Sequence, residues 1–230
     1  MIRLRDVRFE YREGDPVLSG VDLDLPSGLT LLLGPNGCGK STLLKLVAGV
    51  ERPDGGCVEI EGHDLWKEEV VARKNLAYVS EQPDLTPYAT ISDILRLVCR
   101  LRSQPVQAGV EALEKAGLAR IANRSIRELS QGQRRRAVLA AAWIGDPRIA
   151  LLDEPLEAMD RTMREEILAW IGRMRERGAA VVIATHEIEP FVGTASVAVT
   201  VQGGKCRLRA PLPEGADERL AFLESWSRGT

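Results

Sequence analysis

Leu29-Thr30-Leu31-Leu32-Leu33-Gly34-Pro35-Asn36-Gly37-Cys38-Gly39-Lys40-Ser41-Thr42-Leu43-Leu44-Lys45-Leu46-Val47 is the stretch from which the rest of this chain is read. Its centre fits G-x-x-x-x-G-K-[ST], a loop that holds phosphate. The apolar run before it reads as a strand buried on both faces, and the apolar run after it as a helix. Glycines at 34, 37 and 39 let the backbone turn so that successive N–H groups converge at the positive end of that helix. Lys40 is placed to reach the outer phosphates of a nucleoside triphosphate, and Ser41 to hold Mg2+. Asn36, Gly37, Cys38, Gly39 and Thr42 complete the phosphate contacts.

Upstream, apolar residues alternate from Ile2 to Tyr11, but the phase slips between Leu4 and Val7, which predicts a bulge or break. A turn at Glu13-Gly14-Asp15-Pro16 precedes a second alternating strand, Val21 to Leu25. Together they predict an antiparallel layer ahead of the loop. Downstream, Val58 to Ile60 and Leu76 to Ser80 read as strands. From Thr90 the spacing is helical, with Ile91, Ile94, Leu95, Val98 and Leu101 on one face, and a second helix runs from about Val106 to Ala116. Residues 84 to about 129 therefore form a mostly helical insertion. A helix opening at Leu129-Ser130-Gln131-Gly132-Gln133 runs to about Ile144. Ile149 to Leu152 and Ala179 to Ala184 are continuous apolar strands, with the helix Thr162 to Glu176 between them. A hairpin over Val197 to Leu208 and a helix over Asp217 to Trp226 close the chain.

The 230 residues carry 31 Lys+Arg against 33 Asp+Glu, so no broad basic field gathers nucleic acid. No apolar run reaches the roughly 18 residues of a membrane span, and the N-terminus lacks a secretory apolar stretch, which favours a cytoplasmic location. Four scattered cysteines form no C-x-x-C pair and read as reduced thiols; two histidines argue against a histidine-rich metal site.

Ligands of open parallel sheets gather at the carboxyl ends of strands, and three strand ends here carry suitable groups: 34–42, Asp153-Glu154 and His186. Asp153 suits Mg2+ together with Ser41. Glu154 suits polarising a water for attack on the γ-phosphate, and His186 suits a hydrogen bond to that phosphate. Taken alone, the two acids also suit a solvated strand end, and the histidine a structural role. Ser130 is placed as the N-cap of a helix whose first turn includes Gly132, a second anion-binding helix end. One nucleotide in one subunit does not need two such ends, so the second fits a nucleotide held by another copy. An ordinary capped helix is the plain alternative.

Leu129-Ser130-Gln131-Gly132-Gln133 resembles the LSGGQ signature of ABC-type ATPases, differing at Gln131. Other motifs of that family follow the same order. Tyr11 resembles its adenine-stacking aromatic, Gln82 the glutamine after a strand, and Asp153-Glu154 the Walker B acids. Leu156 to Asp160 resembles the D-loop, and His186 matches the switch histidine. Leu156 and Met159 depart from the usual residues, and Cys38 stands where Ser or Ala is more frequent, which makes the loop a target for thiol reagents. The resemblance covers residues 2 to 210. It implies an α/β fold: a P-loop NTPase core with a parallel sheet, an N-terminal antiparallel β subdomain and an inserted α-helical subdomain. The expected layout is one ABC-type ATPase domain over 1–230, with the core in 1–83 and 145–230 and the helical insertion with its signature in 84–144.

The resemblance further implies ATP and Mg2+ as ligands, with Glu154, His186, Lys40 and Gln82 in catalysis and Ser41, Gln82 and Asp153 at the metal. Ser130, Gly132, Gln133 and Asp160 would meet the ATP of a second ATPase subunit packed head to tail. Motion would pass through Gln82 and the insertion to separate membrane-spanning permease subunits, which would hold the protein on the cytoplasmic face of the membrane. Leu85 to Ile91 resembles export systems and gives a weak lean to export. A soluble ABC ATPase without a transport role and a regulatory module that closes on ATP are the alternatives; nucleic acid is not an expected partner.

Overall fold

In the computed structural model, which describes residues 1–83 and 85–227, two sheets and three groups of helices follow from these patterns. The first residue of the expected insertion, 84, and the last three of the chain lie outside the described residues. β1 (Ile2–Glu10) and β2 (Pro16–Leu25) form the antiparallel hairpin, and their register shifts between Leu4 and Val7, where Asp6 takes φ 47°. The slip in the alternation is thus a real irregularity of β1. β3 (Gly28–Leu33) leads into α1 (Lys40–Ala48), followed by β4 (Gly55–Ile60), β5 (His63–Asp64), α2 (Glu69–Arg73) and β6 (Leu76–Val79). α3 (Ile91–Leu101), α4 (Val106–Lys115) and α5 (Gln131–Trp143) come next. The chain closes with β7 (Ile149–Asp153), α6 (Arg161–Glu176), β8 (Ala180–Ala184), β9 (Ala195–Gln202), β10 (Lys205–Arg209) and α7 (Ala216–Ser227).

The antiparallel sheet has the order β2-β1-β4-β5, and the second sheet β10-β9-β3-β8-β7-β6. In the latter only β10 runs antiparallel to its neighbour. Every residue of β7 and β8 is buried, as continuous apolar strands require when both sheet faces are covered. On one face α1 inserts Leu43, Leu44, Leu46 and Val47 between the parallel sheet and the inner side of the antiparallel one. Each such leucine contributes about 1.5–3 kcal/mol through burial. α6 and α7 cover the other face with Ile167, Trp170, Met174 and Leu223. Leu156 and Met159, the two departures from the family pattern, are buried in that same layer.

α3, α4 and α5 pack around their own cluster, including Ile91, Leu95, Cys99, Leu113 and Ile144. Thr90 opens α3 with a capping box to Asp93. Leu101, expected on the buried face of α3, is 74% exposed; it is the last residue of the helix, and the buried face runs through Ile91, Leu95 and Cys99 instead.

Candidate functional site

β3, β8, β7 and β6 are consecutive neighbours, so their carboxyl ends bring the 34–42 loop, His186, Asp153-Glu154 and Glu81 to one edge of the sheet. These residues share the wall of a cavity of about 710 Å³. The loop cannot be built with other residues at its turns. A Cβ on Gly34, at φ +147°, would lie 2.4 Å from the Val201 carbonyl oxygen, a backbone atom of β9 that cannot move aside. Gly39 caps α1 in the left-handed region at φ 106° with no side chain bonded to the first-turn amides, and no acidic residue sits in that turn. The positive end of α1 therefore faces the cavity without a competing acceptor.

Lys40 is buried, and its Nζ donates to the Gly34 and Pro35 carbonyls at 2.7 and 3.0 Å. Two ammonium protons thus hold the loop in shape, leaving a third for an anion. Asn36, Gly37, Ser41 and Thr42 line the cavity, whereas Cys38 does not. Its Sγ lies 2.7 Å from where a Gly34 Cβ would stand, turned under the loop toward the core. Tyr11 borders the cavity as an exposed ring, edge-on to Phe9 at 4.8 Å, with its hydroxyl 3.4 Å from Thr42 Oγ1.

Asp153 is buried, and burial first, then the charge of Glu81, push its carboxyl above the usual carboxylate range, while the Ser41 hydroxyl opposes that shift. These donors are all hard oxygens. Among the described residues no group of three or more His, Cys, Asp or Glu could hold a metal by itself. That combination fits Mg2+, which takes one or two protein oxygens and completes its shell with phosphate oxygens and water. Glu154 takes φ 47°, in the left-handed region that a non-glycine residue rarely adopts. Its Oε2 accepts from Thr185 Oγ1 at 3.0 Å and from the His186 N–H at 3.3 Å, while His186 Nε2 stands 3.5 Å from Oε1. Burial, with the Asp153 charge adding to it, nevertheless raises the Glu154 carboxyl against these donors.

Ser130, Gly132, Gln133 and Asp160 do not line this cavity. Ser130 caps α5 and forms a reciprocal capping box with Gln133, at 3.3 and 3.0 Å. Asp160 caps α6, accepting from the Met163 N–H at 2.9 Å and pairing with Arg136. That N–H first, and then the Arg136 guanidinium, hold its carboxyl below the usual range. A Cβ on Gly132 would be 4.0 Å from the Ala158 carbonyl, so the two caps form one surface.

Two residues escaped the sequence reading. After β6 it is Glu81, not Gln82, that lines the cavity; the Gln82 side chain is exposed. The chain bends at Glu81 and Gln82 as it leaves β6, and only the first of the pair reaches the cavity wall. Arg135, 2% exposed, pairs with Glu157 at 2.9 Å and donates to the Glu154 carbonyl, tying α5 to the cavity wall. Its spacing with Leu139 and Ala142 on one helical face was the signal.

The profile of the ABC transporter family matches residues 18–157. A sulfate/thiosulfate import ATP-binding protein CysA from Mycolicibacterium paratuberculosis is 37% identical, over 98% of this chain and 64% of that protein. A molybdenum import ATP-binding protein ModC from Rhodopseudomonas palustris is 32% identical, over 91% of this chain and 58% of that protein. The chain thus spans about six-tenths of the length of these relatives. Both are named for import, so they do not support the lean to export drawn from Leu85 to Ile91. Among solved structures, the dimeric structure of MJ0796, a bacterial ABC transporter cassette, superposes with a TM-score of 0.80 at 26% identity, covering 91% of this chain and 98% of that one. An ATP-binding subunit of an ABC transporter matches at a TM-score of 0.83 and 22% identity over 100% of this chain and 95% of that one, which shows the fold.

Proposed function

This chain belongs to the ABC transporter family, and from that premise we propose that it is an ATP-binding and ATP-hydrolysing subunit that powers import through separate membrane-spanning subunits. The observation that carries the reading is the meeting of Lys40, Asp153, Glu154 and His186 on one cavity at the positive end of α1. Lys40 and the first-turn amides of α1 bind the phosphates, and the Tyr11 ring stacks on the base. Ser41 and Asp153 would hold Mg2+, which would supply charge neutralisation on the phosphate oxygens. Glu154, oriented by Thr185 and the His186 N–H, accepts a hydrogen bond from the attacking water, and its raised proton affinity improves it as a base. His186 donates to the γ-phosphate.

Ser130, Gly132, Gln133 and Asp160 sit on a surface apart from the cavity, which supports their service to an ATP held by a second copy or a paralogue. We take the chain as one domain, with 84–144 as the helical insertion through which nucleotide state reaches the permease. Among the described residues no helix is long and apolar enough to cross a membrane. Attachment to the cytoplasmic face then depends on that partner. The import direction follows the names of the relatives, and the transported solute follows the permease. Release of inorganic phosphate from ATP, dependent on Mg2+ and absent in Glu154→Gln, tests the reading; equal rates in both proteins would refute it.

A further inference from the structure

A residue with a Cβ holds the left-handed φ of Glu154, 47°, only where its surroundings fix it. Two peptide planes do so here. The plane before Glu154 is fixed by β8, since Glu154 N donates to the Ala184 carbonyl at 2.8 Å. The plane after it joins Glu154 to Pro155 and has no N–H to anchor, so its one polar atom is the Glu154 carbonyl oxygen. That oxygen accepts from the Glu157 N–H at 3.2 Å, within the same turn, and from Arg135 Nη2 on α5. Among the described residues, Arg135 is the only side chain that donates to it.

The guanidinium is itself firmly placed. Arg135 is buried, and Leu139 and Ala142 on the same face of α5 pack with Leu156 and Met159 of the segment that follows Glu154. Its Nη1 meets Glu157 Oε2 at 2.9 Å. Burying a guanidinium is costly, and this one directs both terminal nitrogens at a single turn, 154–157. A rigid planar fork satisfies two acceptors only at a fixed separation and angle, so it dictates where residues 154 and 157 stand.

We propose that Arg135 is a positioning residue for hydrolysis: by holding the Glu154 carbonyl and the Glu157 carboxylate with one buried guanidinium, it keeps the Glu154 side chain aimed at the attacking water. The proposal rests on the reading of Glu154 as the acid that meets this water, and adds the group that aims it. Arg135 does not line the cavity. It therefore acts on the chemical step, while nucleotide affinity is set by Lys40 and the loop.

Phosphate release from ATP in Mg2+, with kcat and KM resolved, reads this on wild type, Arg135→Met and Arg135→Lys, with thermal melts to check folding. Methionine keeps an apolar stem and removes every donor. Arg135→Met should lower kcat about 10- to 100-fold, the order that follows from misplacing a reacting group by about 1 Å, and leave KM within about twofold. Lysine keeps the charge and loses the fork, so kcat should fall by about threefold or more, again at unchanged KM. If Arg135→Met does not fold, Arg135→Lys carries the same test. Wild-type kcat in a folded variant overturns the proposal, and so does a loss shared between kcat and KM, which would mean that Arg135 merely supports the whole site. If wild type itself releases no phosphate, the reading of Glu154 falls together with the proposal; wild-type hydrolysis with unaltered variants removes the proposal alone.

Discussion

Thr185 Oγ1 donates to Glu154 Oε2 across 3.0 Å, so the residue that follows β8 sets the direction of the acid that follows β7. The register of the two strands, Asp153 beside Ala184, brings them together, and Glu154 N donates to the Ala184 carbonyl at 2.8 Å. Thr185→Val keeps the buried shape and removes the donor. Hydrolysis should drop about tenfold. Because the lost hydrogen bond favours the ionised acid, the acidic limb of the rate profile should move to higher pH. A lower rate with an unmoved limb would mean that Thr185 only fills space.

Glu154 also predicts a stability change. Burial first raises its proton affinity in the folded chain, with the Asp153 charge adding to it, so the folded state binds this proton more tightly than the unfolded one. The stability contributed by the neutral acid is full below the ordinary value of 4.5 and is lost as pH rises through the folded value. Glu154→Gln, neutral at every pH, should therefore raise the thermal midpoint at pH 7 to 8. The gain should shrink toward pH 4. Thermal melts across that range check it, and a uniform shift would count against the buried-charge account.

Lys40→Ala should weaken ATP binding by about 10- to 100-fold, the worth of a charge-assisted hydrogen bond to phosphate. Calorimetry reads it directly. Since Nζ also bonds two loop carbonyls, the loop amides should exchange faster in this variant.

The Tyr11 ring is exposed at the cavity edge, so its removal costs stacking and little fold. Tyr11→Ala should lose about 2- to 10-fold in ATP affinity in Mg2+ and in EDTA alike. Equal affinities of variant and wild type would remove Tyr11 from the base.

The 34–42 loop was legible because strand, glycines and helix are contiguous, and each constraint is local. The slip in β1 was legible for the same reason, as a break in a two-residue period. Glu81 was not, because which of two adjacent polar residues faces a cavity depends on how the chain leaves β6. Arg135 lay hidden in the run Arg134-Arg135-Arg136, where charge suggested solvent although its helical face is buried. α2, five residues long with Val70 and Val71 exposed, carries no amphipathic pattern to read.

We propose that the cavity is half of a site whose other half includes Ser130, which lies outside the cavity wall. Light scattering of Glu154→Gln with ATP and Mg2+ tests this most directly. The account predicts a doubling of mass on adding ATP, reversed when ATP is removed and abolished by adding Ser130→Arg while ATP binding through Lys40 persists. A protein of unchanged mass with ATP bound, or a dimer indifferent to Ser130→Arg, would contradict it.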